Sequence, residues 1–345
     1  MNSPDSKIKN PQFSVIVPVY NRIDEVEELL ESLLYQIEVD PEEYEVIIVE
    51  DGSTMPCGDL CEQYRWKGLN LRYYYKENEG RSIARNYGME RANGDWLIFF
   101  DSDCVIPEDY FYKLKTSDQL EQLDAFGGPD AAHPSFTPVQ KAINFAMTSF
   151  LTTGGIRGGK KSMEKFTPRT FNMGFRRSVY DKVGGFREMY SEDIDMSTRI
   201  KNAGFKIGLL PEQKVYHKRR VDFGKFFRQV NIFGRSRITL QLLYPGSMKL
   251  VHWLPALFVI GCVASVVFAC IFSLWWLLPL GIFTVALFVS ALISTSSFKI
   301  ASLAVPASYI QLWGYGTGFL DAYAKKILMR RGRDLNEEIS ARKGK

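Results

Sequence analysis

The chain has 345 residues, 46% of them hydrophobic and 24% charged, with 43 basic against 39 acidic side chains for a formal net charge of +4. That is longer than one average domain, and so mild a basic balance gives no ground for a nucleic-acid partner. The five cysteines, Cys57, Cys61, Cys104, Cys262 and Cys270, are scattered without paired CxxC motifs, which excludes a zinc ribbon and reads as reduced, structural thiols.

The stretch 1–12 has no apolar run behind a basic start. It reads as a tail and not as an export signal, so the domain behind it is expected in the cytosol. Phe13 to Val19 is then a continuous apolar strand; Ile23 to Ile37 spaces Val26, Leu29, Leu30, Leu33 and Leu34 at helical intervals; Tyr44 to Val49 is a second buried strand. Leu71 to Tyr75 predicts a third strand, Ser82 to Ala92 a helix after Gly80, and Trp96 to Phe100 a fourth strand that runs directly into Asp101. This alternation predicts an α/β domain with a mainly parallel sheet. Ligands of such sheets sit beyond the carboxyl ends of the strands. Three polar clusters fall there: Tyr20-Asn21, Asp51-Gly52-Ser53 and Asp101-Ser102-Asp103. No GxGxxG follows the first strand and no GxxxxGK[ST] occurs anywhere, so neither dinucleotide binding nor a Walker-type phosphate loop is supported.

Asp101 and Asp103 lie two apart at a strand end. If the backbone stays extended, both side chains point the same way and can address one hard cation, Mg2+ or Mn2+, with diphosphate oxygens completing its shell. A solvated turn would use the same residue types. The segments FSVIVPVYNR at 13–22, VEDGST at 49–54, EGRSIARNYG at 79–88 and GDWLIFFDSD at 94–103 resemble, in order and spacing, the family 2 inverting glycosyltransferases of GT-A fold. The similarity covers roughly residues 13–235 and continues through FGGPD at 126–130, FNMGFRRSVYDKVGGF at 171–186 and SEDIDMSTR at 191–199.

The resemblance implies that Asp51 bonds the nucleotide base, that Pro18, Tyr20 and Arg85 line the nucleotide pocket, and that Asp101 contacts the ribose or a water on the metal. Asp103 would ligate the metal. Glu192-Asp193 stands where the family places its general base, and an acceptor hydroxyl must lose its proton as it attacks the anomeric carbon. Asp193 takes that role here and Glu192 orients the site, although the same acids also suit the first turn of a helix after Ser191. By the same resemblance, His217, just after a predicted Ile207–Leu209 strand, joins the metal or the diphosphate; an ordinary surface histidine is the plain alternative. Positions around Gly127-Gly128-Pro129 and Phe171-Asn172-Met173 would meet the sugar. The QxxRW signature of processive polysaccharide synthases is missing, which favours transfer of a single sugar.

Beyond His217, Arg219, Arg220, Arg228 and Arg235 alternate with Phe223, Phe226, Phe227 and Phe233, a face suited to a membrane surface or a lipid diphosphate. From Leu250 to Phe298 no Asp, Glu, Lys or Arg occurs. A span takes roughly 20 residues, so this run predicts a hairpin of two helices at about 250–272 and 274–294, with Trp275-Trp276 at the far interface and Lys249 and Lys299 on the cytosolic side. Trp253 and Trp313 join those two as interface aromatics. Residues 300–320 carry Pro306, Gln311, Gly314, Gly316 and Gly318, and the basic Lys325-Lys326 and Arg330-Arg331 follow. A third crossing would place those cations outside, so this segment is expected to be re-entrant or interfacial.

The expected plan is therefore a tail 1–12, a GT-A domain 13–235 with a Rossmann-like mixed, mainly parallel sheet, an interfacial linker 236–249, a membrane region 250–320 built on a transmembrane helical hairpin, and a basic cytosolic tail 321–345. The expected protein is a multi-pass plasma-membrane transferase, dependent on Mn2+ or Mg2+. It would move one sugar from a nucleotide sugar, by default a UDP-sugar, to a lipid-linked or membrane-proximal glycan acceptor. A processive synthase, a nucleotidyltransferase and a non-catalytic membrane scaffold are the rival readings.

Overall fold

The computed structural model describes residues 10–131, 136–154, 166–218 and 222–331. The N-terminal tail before residue 10, Arg219 and Arg220, and the basic tail after residue 331 lie outside the described residues. Two compact units divide the chain. The first runs to Ala131 and adds Thr167–Glu188 and Glu192–His217; the second takes the segment 132–166, Met189–Ser191 and the chain from Lys218 onward.

The first unit is a mixed sheet covered on both faces. Its strands in chain order are β1 (Phe13–Val19), β2 (Tyr44–Asp51), β3 (Leu71–Lys76), β4 (Trp96–Phe99), β5 (Cys104–Val105), β6 (Ala125–Gly127), β7 (Asp130–Ala131), β8 (Met173–Arg176), β9 (Ile207–Leu209) and β10 (Val215–His217). Seven of them form one sheet in the order β3-β2-β1-β4-β8-β6-β9. β3, β2, β1 and β4 run parallel, β8 lies antiparallel to both β4 and β6, and β9 is parallel to β6.

The continuous apolar runs of β1 and β2 follow from this double cover, because a strand wedged between helical layers has no wet face to leave polar. Period-two geometry then sends neighbours to opposite cores. Val15, Val17, Val46 and Ile48 join Val26, Leu29, Leu30 and Leu33 of the helix Ile23–Leu34 on one side. Ile16, Ile47 and Val49 meet Met89 of the helix Arg81–Arg91 and Leu97 and Phe99 of β4 on the other. The remaining strands make a second small sheet in the order β5-β10-β7, which the sequence did not announce. It sets His217 directly opposite Cys104.

The second unit is helical. It comprises Pro138–Thr148, Phe150–Thr153, Phe223–Leu243, Leu250–Ile271, Leu278–Thr295 and Phe298–Tyr323. Phe223–Leu243 is one uninterrupted helix, so it runs straight through the boundary expected between residues 235 and 236. Leu250–Ile271 and Leu274–Thr295 are long and apolar enough to cross a membrane, and only 22% and 11% of their most apolar stretches are buried within the protein. A soluble core hairpin would hide residues such as Leu254, Leu257, Ile260, Ile282 and Val285, all of which face outward.

The segment expected to be re-entrant or interfacial is one unbroken helix, Phe298–Tyr323, with Pro306 inside it. Its glycines serve close packing. A Cβ on Gly318 would run into the Asn231 carbonyl, and one on Gly234 into the Tyr315 carbonyl, so the helices 223–243 and 298–323 meet backbone to backbone. Asn231 donates to the Gly314 carbonyl at 3.1 Å and to Thr317 Oγ1 at 3.2 Å, and Arg235 pairs with Asp321 at 3.1 Å. Trp253, one of the expected interface aromatics, instead packs edge-on against Phe319, with ring centroids 4.8 Å apart. Trp275 stays 77% exposed, in keeping with the far end of the hairpin.

Candidate functional site

The site lies at the carboxyl ends of β1, β2 and β4, as the strand pattern predicts. β4 ends at Phe99, and Phe100 leads the chain into Asp101, Ser102 and Asp103 before β5 begins. From β10, His217 turns Nε2 toward both carboxylates, 3.1 Å from Asp103 and 3.9 Å from Asp101. Its ring is held by stacking on Phe171, with centroids 4.7 Å apart and planes at 23°. Two carboxylates and one imidazole converging in this way make a donor set for a hard divalent cation, and Asp101, Asp103 and His217 fit Mg2+ or Mn2+. The neighbouring Cys104 is fully buried, and that burial, followed by the charges of Asp103 and Asp101, pushes its thiol well above the ordinary value. A protonated thiol offers such a cation nothing.

Behind this cluster sits Arg85, carried on the helix Arg81–Arg91 and only 1% exposed. Its guanidinium donates to Asp101 at 2.7 Å and to Glu192 at 3.0 Å. Glu192 is itself buried and takes a forked contact from Arg81, Nε and Nη2 each 2.9 Å from a carboxylate oxygen. Glu192 in turn raises the Arg81 guanidinium above its ordinary value against the opposing effect of desolvation. Arg81 and Arg85 are four residues apart and share a helix face, so this part of the network was legible in the sequence once Glu192 was placed. The structure directs Arg85 to two protein carboxylates; it is not open to solvent as a lining residue.

Asp193 begins the helix Glu192–Asn202. One of its oxygens accepts from the Ile194 amide at 2.8 Å, and the other lies 3.4 Å from Arg169 Nη1. Ser191 does not cap this helix in the usual extended conformation. It occupies the left-handed region at φ 62° and shares a hydrogen bond with Ser236 at 2.8 Å.

Asp51, buried at the end of β2, accepts from the amides of Glu79 and Gly80 at 3.0 and 2.9 Å and from Lys76 at 2.9 Å. Desolvation pulls the Lys76 ammonium down, but its bonds to Glu79 and Asp51 outweigh this and hold it above its ordinary value. Pro18 is half-buried and Tyr20 is 50% exposed at the rim beyond β1. Next to Tyr20, Asn21 adopts φ 53°, and its side chain accepts from Thr54 N at 2.8 Å while its own amide donates to Ser53 Oγ at 2.7 Å. These bonds tie the loops after β1 and β2 together.

Of the expected sugar-contacting positions, Asn172 is fully buried and spent inside the protein, accepting from Tyr110 at 2.7 Å and donating to the Gln213 carbonyl at 2.5 Å. Gly128 is required where it stands, because a Cβ there would collide with that same carbonyl and with the Asn172 amide. The sequence reading missed Arg81, Arg169, Cys104, Lys76 and the Asn21 link. Cys104 follows the acidic motif directly and could have been flagged, whereas nothing local marks Arg169.

The mannosyltransferase PcManGT from Pyrobaculum calidifontis, solved in complex with GDP-Man and Mn2+, shares this architecture with a TM-score of 0.54 over 93% of this chain and 88% of that one, at 17% sequence identity. The fold is of GT-A type. Residues 14–184 match Glycosyl transferase family 2, and that stretch is a domain of the family. An "Uncharacterized glycosyltransferase" of Rickettsia felis (strain ATCC VR-1525 / URRWXCal2) is 38% identical over 117 residues, 34% of this chain but only 18% of that protein. The succinoglycan biosynthesis protein ExoA of Rhizobium meliloti (strain 1021) is 23% identical over 283 residues, 79% of this chain and 82% of that one.

Proposed function

We propose that the protein is a metal-dependent, inverting glycosyltransferase that moves one sugar from a nucleotide sugar to a lipid-linked or membrane-proximal glycan acceptor in the synthesis of a cell-surface polysaccharide. The observation that carries this reading is the convergence of Asp101, Asp103 and His217 at the end of β4, joined through Arg85 to the helix that bears Asp193. Asp101, Asp103 and His217 would hold Mn2+ or Mg2+, which when bound neutralises charge on the departing nucleoside diphosphate. Tyr20 and Pro18 line the nucleotide side, and Asp51 holds the base side through the loop amides it fixes.

Asp193 takes the acceptor proton as the hydroxyl attacks the anomeric carbon. The new glycosidic bond forms as the bond to the diphosphate breaks, and no covalent intermediate with the protein is needed. Arg169, 3.4 Å from the Asp193 carboxylate, keeps it aimed. The apolar hairpin 250–295 anchors the chain in the plasma membrane with the catalytic unit on the cytosolic side, where nucleotide sugars are made, and orientation follows from the cations at Lys249 and Lys299. The relationship to ExoA supports a role in polysaccharide synthesis.

The test is release of nucleoside diphosphate by purified full-length protein from a panel of UDP-, GDP- and dTDP-sugars, with and without Mn2+. Metal-dependent release from one donor is expected. Failure to bind or turn over any of them would favour a non-catalytic scaffold that kept the fold.

A further inference from the structure

We propose that Asp103, Cys104 and His217 form a second, thiophilic metal site, through which Zn2+ or Cd2+ binds the protein and shuts down the site that Mn2+ or Mg2+ would use. One carboxylate oxygen, the Cys104 sulfur and one imidazole nitrogen all lie within 4.8 Å of one another. The antiparallel pairing of β5 with β10 puts His217 opposite Cys104, and the Phe171 ring fixes the imidazole in place. One ligand pair is already close, with His217 Nε2 3.1 Å from Asp103 Oδ1.

Tetrahedral zinc takes sulfur at about 2.3 Å and nitrogen or oxygen at about 2.0–2.2 Å, so neighbouring ligand atoms should be about 3.6 Å apart. The widest separation exceeds this by about 1 Å, which the side chains would close as the metal binds. The bond that Cys104 would give up is weak, a contact of its sulfur with the Phe171 carbonyl at 3.6 Å. Asp101, whose Oδ2 lies 3.9 Å from His217 Nε2, is within reach as a fourth ligand.

Hard and soft ions would divide these donors differently. Mg2+ and Mn2+ favour oxygen, and leave the thiol protonated; Zn2+ and Cd2+ bind thiolate strongly, and each ion that enters displaces the Cys104 proton to solvent as the metal–sulfur bond forms. Both modes use Asp103 and His217, so they exclude one another. The competition rests on the metal role proposed above for Asp103; ligation by the thiol does not.

The experiment titrates Cd2+ into metal-stripped full-length protein and follows the ultraviolet thiolate-to-cadmium charge-transfer band, taking wild type minus Cys104→Ser so that the other four cysteines cancel. A difference band is expected, and His217→Ala, checked for folding by circular dichroism, should raise the cadmium concentration needed to develop it at least tenfold. Identical spectra for wild type and Cys104→Ser, or no effect of His217→Ala, would overturn the site. In a second arm, Zn2+ inhibits Mn2+-supported donor hydrolysis, with each variant referred to its own uninhibited rate. Wild type should be inhibited at zinc concentrations at least tenfold lower than Cys104→Ser, and added Mn2+ should relieve it. Equal zinc sensitivity would overturn the shutdown. A clear cadmium band with no Mn2+-supported turnover on any donor would uphold the thiol site and count against the transferase reading instead.

Discussion

Arg85 is the residue whose loss should be felt most widely. Replacing it with Met removes a buried cation that lies 2.7 Å from Asp101 and 3.0 Å from Glu192. Breaking a buried ion pair by deleting one partner costs about 3–5 kcal/mol, most of it from the charge left behind. Here the two survivors differ. Asp101 is 31% exposed and can rehydrate, and Glu192, 3% exposed, keeps its fork from Arg81. The cost should therefore sit at the low end, about 3 kcal/mol, which for a unit of this size lowers Tm by about 6–12 °C. Arg85→Lys keeps the charge but has one ammonium for two carboxylates, so it should recover part of that loss. The assay is thermal unfolding of detergent-solubilised protein, followed by intrinsic fluorescence. A Met variant that melts within a degree of wild type, or a Lys variant no better than Met, would refute the bridging role.

Asp193→Asn keeps the oxygen that accepts from the Ile194 amide but cannot take a proton; turnover should fall by about 10²–10⁴ while donor affinity, measured by calorimetry, changes little, and normal turnover would rule Asp193 out as the base. Gly128→Ala forces a methyl group against the Gln213 carbonyl and the Asn172 amide, an overpacking worth about 1–3 kcal/mol or more that should lower Tm measurably; an unchanged Tm would mean that β6 and its loop give way freely. Gly318→Val should separate the helices 223–243 and 298–323 at Asn231 and cost at least as much, read as loss of monodisperse protein on size-exclusion chromatography in detergent.

The strands, the helices that alternate with them and the acidic motif at the end of β4 were readable because each rests on local periodicity. Phe13–Val19 and Ile207–Leu209 match the expected strands to the residue, and Trp96–Phe99 falls one residue short of its forecast. The pair of apolar helices was equally plain, since a 49-residue run without a charge is long enough for two spans. Residues 300–320, expected to be re-entrant or interfacial, lie in one continuous helix despite Pro306, and its glycines let neighbouring helices approach closely.

By itself, then, the sequence determined an α/β sheet with acidic residues at its carboxyl edge and an apolar helical hairpin after it, because strand runs, motif spacing and the absence of charge are all properties of neighbours along the chain. Only the tertiary structure decided that His217 stands opposite Cys104 and beside Asp103, that one buried guanidinium joins Asp101 to Glu192 across 91 residues of chain, and that the helix 223–243 belongs with the apolar helices. Those arrangements depend on which strands pair and on which polar groups, once buried, must find a partner. No periodicity encodes that choice; it is made when the sheet closes.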